Sequence, residues 1–376
     1  MSNISTRSTT SARELVDRAV ARVSVAKAAP ADSFVLHAPL ELMARVHLLR
    51  YLRADDREAA LGMIEWLSDE YERAGDPVEP MPTPMEVLMA DGRPAALIDA
   101  LAAGDADRVD ALASAALPTM SAAEVVGAFG EAIVPSLAAA GHAPIGLALL
   151  LRDRAATGLS PTLLRGPLRS LASHPDWQVS WYRNHSGRGD ATGLYDALRS
   201  APYLGRPGSD FIHPLMTQAQ QPGVADRLLG PLLADRYHVP AALHTLTRVA
   251  AWSMLHDDPA HAPYGWSHAM TMPQGVLALA GAGVRARTAL AVASTYALGF
   301  RLAFGRAPLP ERIAPSDGGR SHIDVHELAA AASMHHDAHL VKYTLACLHA
   351  AADDPEFADL YAAAAQFLLD WWRANG

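Results

Sequence analysis

The chain has 376 residues, half of them apolar and only 19% charged, with a formal net charge of −9 and a pI near 6.0. That length and apolar content suit one large helical domain or two fused ones with a sizeable core. No basic stripe is present, so nucleic acid is not expected as a partner; no apolar run reaches a membrane span; and the single cysteine, Cys347, fits a reducing cytoplasm.

Residues 1–10 read as a disordered N-terminus without the apolar stretch of a secretory signal. Ser11-Ala-Arg-Glu14 is a capping box, and Leu15, Val16, Ala19, Val20 and Val23 follow it at helical spacing. The same periodicity recurs at 39–52, 56–74, 86–91, 94–103, 107–115, 121–139, 144–157, 161–172, 224–234, 240–256, 273–281, 285–305, 323–351 and 355–374. Strand-like alternation is scarce and no fixed repeat stands out, so the expected fold is all-α, one large helical domain over 11–376. Two loop-rich stretches, 174–210 and 306–321, are long enough to act as lids or binding segments, or as tolerated surface insertions.

Seventeen histidines is the unusual figure. His37 opens HAPLELMARV and His142 opens HAPIGLALLL, each with proline two residues later, where a first helical turn tolerates the missing N–H. A third HAP, at 261–263, runs into YGW and reads as coincidence. His244 in LHTLT and His268 in SHAMT share an H-x-x-T pattern, in which the threonine either orients the ring or bonds a backbone carbonyl.

The segment MHHDAHLVKYT, 334–344, is the most crowded. On one continuous helix His335, His339 and Lys342 share a face, while His336 and Asp337 point elsewhere. Of the chain's 31 lysines and arginines, only Lys27 and Lys342 are lysine. Lysine, unlike arginine, loses its proton on burial, and a neutral amine adds carbon dioxide to become a carbamate. That converts a cation hostile to metals into an oxygen ligand. A surface lysine is the plainer alternative. SHIDVHEL, 321–328, offers a rival H-x-D-x-H set in His322, Asp324 and His326.

SMHHDAHLVKYTLACL resembles the H-G-D-E-H-x-I-K segment of the questin oxidase-like proteins. LHAPLELMARV, GHAPIGLALLLR and SHAMTMPQGVLALA resemble that family's N-H-G-P-M, T-H-G-L-I and H-A-V-T segments, in the same order along the chain. Leu36 and Ala338 depart from the family's usual Asn and acidic residue. The resemblance implies a helical non-haem iron(II) oxygenase that opens rings of anthraquinone-type polyketides. It implies metal ligands at His37, His142, His268, His339 and carboxylated Lys342, with His335 and Asp337 in support and His244 competing with His268. Dioxygen is the implied co-substrate, a small aromatic polyketide the partner, and the need for NADPH stays open because no nucleotide motif is visible. A homo-oligomer is compatible with all of this. Trp177, Trp181, Tyr182, Trp252 and Trp266 are candidates for stacking a flat substrate, although each taken singly is more simply an ordinary packing residue.

Two other readings remain. An HD-type metal phosphohydrolase would use His336-Asp337 with His322 or His326 and Asp353, and a non-catalytic helical binding protein would need no metal.

Overall fold

The computed structural model describes residues 11–28, 32–82, 93–153, 157–184, 193–208, 211–221, 223–233, 238–319 and 323–376. The expected N-terminal tail, the helix at 86–91 and His322 lie outside the described residues. Within them the chain is all-α, with isolated bridges such as Lys27–Pro77 and no strand.

Helix α1 (Ala12–Val23) starts on the expected capping box. The Ser11 hydroxyl accepts from the Glu14 N–H, and the Glu14 carboxylate accepts from the Ser11 N–H. Then follow α2 (Ser33–Leu48), α3 (Ala54–Arg73), α4 (Arg93–Ala103), α5 (Ala106–Ala116), α6 (Ala122–Ile133), α7 (His142–Arg152) and α8 (Arg165–Leu171). Three short helices, α9 (Leu194–Arg199), α10 (His213–Ala219) and α11 (Ala225–Leu229), cross the loop-rich middle. The C-terminal half is α12 (Val239–His256), α13 (Ser267–Ala278), α14 (Ala286–Phe304), α15 (Val325–Ser333), α16 (Ala338–Asp353) and α17 (Ala358–Asn375). None of the described helices is long and apolar enough to cross a membrane.

Four of these form the centre. Helix α2 packs on α7 and α16, and α13 packs on the same two, which closes a ring. Their burial explains their place: His37–Leu48, His142–Leu150, Ser267–Leu277 and Ala338–Ala350 are buried on every face. Apart from polar groups paired inside, such as Glu41 with Arg45, these helices are apolar around their circumference and so go inside. Amphipathic helices wrap the ring; α1, for example, buries only Val16, Ala19, Val20 and Val23. Each of the valines contributes roughly 1.5–3 kcal/mol when fully buried. Close approach of α7 and α13 depends on Gly275, where an added Cβ would stand 3.0 Å from the Cα of Ile145.

Three expected boundaries move. Helix α2 begins at Ser33, not 39, because the Asp32 carboxylate caps it by accepting from the Val35 N–H at 2.8 Å. Pro39 therefore lies inside the helix and not in its first turn. Helix α13 begins at Ser267 and is entered through a π-helical turn, Ala262–Trp266, so the third HAP does lead into a helix. The continuous helix expected over 323–351 is broken at 334–337. There the Asp337 carboxylate takes the N–H groups of His339 and Leu340, at 2.8 and 3.2 Å, and starts α16 afresh.

Candidate metal centre

Each helix of the central ring delivers one histidine near its N-terminus: His37 from α2, His142 from α7, His268 from α13 and His339 from α16. The imidazoles meet edge to face, except for His268 and His339, which are tilted. Ring centroids are 4.4 Å apart for His37 and His142, 4.5 Å for His37 and His339, 5.0 Å for His268 and His339, and 5.7 Å for His142 and His268. A nitrogen each from His37, His142 and His268 lies within 4.8 Å of the other two.

Three rings are aimed by the same device. The Nδ1–H of His37 donates to the Ser33 carbonyl at 2.5 Å, that of His142 to Ala139 at 2.7 Å, and that of His268 to Tyr264 at 2.5 Å. Donation from Nδ1 fixes the tautomer and leaves the Nε2 lone pair free. The Nε2 atoms of His37 and His142 are buried without any hydrogen-bond partner. Burial pushes the pKa of both, and of His268, well below the ordinary imidazole value; His339 is lowered for the same reason. Neutral rings with free lone pairs are what a metal requires.

The backbone is shaped for these rings at some cost. Before His142, Ala139 and Ala140 both have φ 50°, and Gly141 has φ 67°. Left-handed backbone costs a non-glycine residue roughly 1–2 kcal/mol. The turn presents the Ala139 carbonyl to the His142 ring. At Gly141 an added Cβ would stand 2.6 Å from the Met272 Cε and 3.1 Å from the Tyr296 hydroxyl. The π-turn serves His268 in the same way by placing the Tyr264 carbonyl against its ring.

Lys342 follows His339 by one turn of α16 and is buried, 4% exposed. Burial lowers its pKa to about 7, against the opposing pull of Asp337 and Glu41. Its charge in turn depresses all four histidines. Four helix N-termini converge here, so the local backbone potential is positive and favours an anion beside any cation.

Asp337 does not point away from the cluster, as a continuous helix would require. Its Oδ1 caps α16 and lies 3.4 Å from His339 Nδ1, long for a hydrogen bond but close enough to act on the ring's charge. His335 does not share a helical face with His339. Its Nδ1 accepts from the Asp337 N–H at 3.0 Å and its ring rests on Trp372, with centroids 5.3 Å apart. The break between α15 and α16 is held from α2. Arg45 donates to the carbonyls of Ser333 and His335, both at 2.6 Å, and to the Glu41 carboxylate at 2.5 Å. Glu41 and Arg45 are each 1% exposed. Sequence reasoning passed over this pair because an i, i+4 Glu–Arg pair usually belongs on a solvated helix face.

Other nominated residues are placed elsewhere. His244 acts on Asp354, which pairs with Arg248, and takes no part in the cluster. In both H-x-x-T motifs the threonine bonds a backbone carbonyl: Thr271 to Ser267 at 3.0 Å, Thr247 to Leu243 at 2.9 Å. Trp177 is sandwiched between His174 and His213, with centroids at 3.7 and 4.0 Å. The Trp181 indole donates to Thr295 at 2.9 Å, Tyr182 packs edge-on to Trp181, Trp252 stacks on His256, and Trp266 is buried against Phe304. The aromatic rings that do border the cluster are Tyr264, 4.8 Å from His339, and Phe211, 5.3 Å from His268. Trp372 stands behind Tyr264 at 6.5 Å. Tyr264 sits in the π-turn, and the third HAP was the signal that could have found it. The HD-type set is dispersed: His336 packs on Trp66, His326 bonds the Tyr51 carbonyl, and Asp353 pairs with Arg152.

The chain matches no family model, no curated protein and no solved structure. The chemistry therefore rests on the donor set. Nitrogens bound at about 2.1 Å to one ion stand about 3–4 Å apart, so small ring movements would close the histidines on a metal. The orphaned Nε2 atoms fit such a guest.

Proposed function

We propose that this chain is a non-haem iron(II) oxygenase that oxidatively modifies or opens a ring of an electron-rich aromatic polyketide, such as a reduced anthraquinone. The observation that carries the proposal is the quartet of buried, neutral histidines with Lys342 beside it. The family resemblance of the same four segments supports the substrate class.

In this reading the neutral ε-amine of Lys342 adds carbon dioxide, forming an N–C bond and releasing one proton, and becomes a carbamate. The carbamate oxygen, with His37, His142, His268 and His339, would hold the metal. Nitrogen and anionic oxygen donors suit iron, which when bound would supply dioxygen activation. Asp337 steadies His339 and sets its charge. Tyr264 and Phe211 border the rings and hold a flat substrate against the centre, while the buried walls keep water away. The reduced substrate supplies the electrons, so no nucleotide site is needed in this scheme. The setting proposed is the cytoplasm, with dioxygen as co-substrate.

The test is oxygen uptake by iron-loaded protein given a reduced anthraquinone, with Lys342→Ala in parallel. Substrate-dependent uptake that disappears in the variant supports the oxygenase. Metal-dependent phosphatase activity without oxygen uptake would refute it.

A further inference from the structure

A second cavity, of about 560 Å³, lies at the opposite end of the central ring, where α2 and α7 finish. Its wall carries four guanidinium groups, Arg13, Arg50, Arg57 and Arg152, against one carboxylate, Asp153. Two of the arginines are already balanced: Arg13 by Asp17 at 2.9 Å and Arg152 by Asp353 at 2.7 Å. One Asp153 oxygen accepts from the Thr157 hydroxyl at 2.7 Å, while the other is buried without a hydrogen-bond partner, so its charge still faces the cavity. Arg50 donates to the Tyr51 hydroxyl at 3.1 Å and to His349 Nε2 at 2.6 Å, and pairs with no carboxylate among the described residues. Arg57 is exposed and likewise has no carboxylate partner among them.

Below these charges lie buried imidazoles, with Asp153 the carboxylate that acts on His47. His47 and His349 lie 6.0 Å apart, buried; burial holds both imidazoles below their ordinary pKa, and the His47 Nε2–H donates to the Leu149 carbonyl at 3.0 Å. Val16, Val46, Leu49 and Leu61 complete the wall with apolar surface. Arg50 and Arg57 against the one carboxylate, Asp153, leave an excess of positive charge beside an apolar wall, which suits an anion with a greasy body. A void of about 30 Å³, bounded by Arg152, His349 and Lys342, separates it from the metal centre. That volume holds about one water and passes nothing larger.

We propose that this cavity binds a small organic oxyanion, a carboxylate or phosphate monoester on an apolar body, with Arg50 and Arg57 gripping the anionic head. The proposal is independent of the oxygenase reading. The experiment is calorimetric titration of the full chain with benzoate, phenyl phosphate and inorganic phosphate. Lys342→Ala serves as a second background, in which carboxylates have no carbamate-held metal to bind. Saturable one-to-one binding of benzoate or phenyl phosphate is expected in both backgrounds, weakened about tenfold or more in Arg57→Gln and in Arg50→Gln. The tighter of the two organic probes identifies the head group. Arg57 is exposed, so its variant folds and keeps the test sound. Absence of saturable binding up to about 10 mM, binding unchanged in both arginine variants, or inorganic phosphate binding as tightly as phenyl phosphate would overturn the proposal.

Discussion

His37 and His142 stand edge to face with ring centroids 4.4 Å apart, and each buries an Nε2 that meets no hydrogen-bond partner. Both rings spend their Nδ1–H on a carbonyl of their own helix entrance, so neither can turn to satisfy the other. A buried unsatisfied nitrogen costs roughly 1–3 kcal/mol, and two that face one shared point are explained most simply by a guest between them. Replacing His37 or His142 with alanine is expected to lower metal affinity by more than about 100-fold while helical circular dichroism persists. Metal titration of the variants checks this.

Asp337 combines two duties that can be separated. Asp337→Ala removes the cap of α16 and is expected to cost about 1 kcal/mol of stability, with metal affinity falling about 10- to 100-fold. Asp337→Asn keeps a capping oxygen but drops the charge near His339. It should keep nearly all the stability and still lose metal affinity. Equal loss of both in the two variants would show a purely structural role.

The buried Glu41–Arg45 pair carries a second stability prediction. Arg45→Ala strands a carboxylate that is 1% exposed and frees the carbonyls of Ser333 and His335. Loss of one partner of a buried pair costs about 3–5 kcal/mol. Urea unfolding of the variant should show that loss, together with a disturbed metal site, because the same arginine fixes the break before His339.

The metal-free protein should have a stability that depends on pH in a defined direction. The four central histidines have folded pKa values below the ordinary 6.5, so above about 6.5 they are neutral in both states and cost nothing. As pH falls below 6.5 the unfolded chain takes up protons that the folded chain refuses, and stability drops. Lys342, lowered from 10.5 to about 7, acts on the alkaline side. Between those values only the unfolded chain holds the proton, so stability rises with pH from about 7 toward 10.5. Unfolding curves across this range check both arms, and a flat profile would contradict the burial of the cluster.

The helical class was legible because apolar residues recur at helical spacing along the chain while strand-like alternation is scarce; which helices form the central ring was not, because α2 carries Glu41, Arg45 and His47 among its apolar residues. The histidines were visible through their spacing and their resemblance to known segments. The H-x-x-T motif alone does not separate His268 from His244, whose threonines do the same thing, and the preference for His268 comes from the segment that follows it; the fold places His268 in the cluster. The break at Asp337 was missed because H-x-D-x-H fits a helical period. An aspartate ahead of an apolar helix is also an N-cap signal, and here the cap prevails over the period. Trp372 reaches the back of Tyr264 from a distant C-terminal helix, and no local pattern reports such a contact.

Lys342 is where the account is most exposed. The most direct measurement is the metal content of protein purified without added metal, wild type beside Lys342→Ala. The account predicts about one iron per chain in the wild type and little or none in a folded Lys342→Ala. A well-folded wild type without metal, or a Lys342→Ala variant that keeps its full iron, would contradict it.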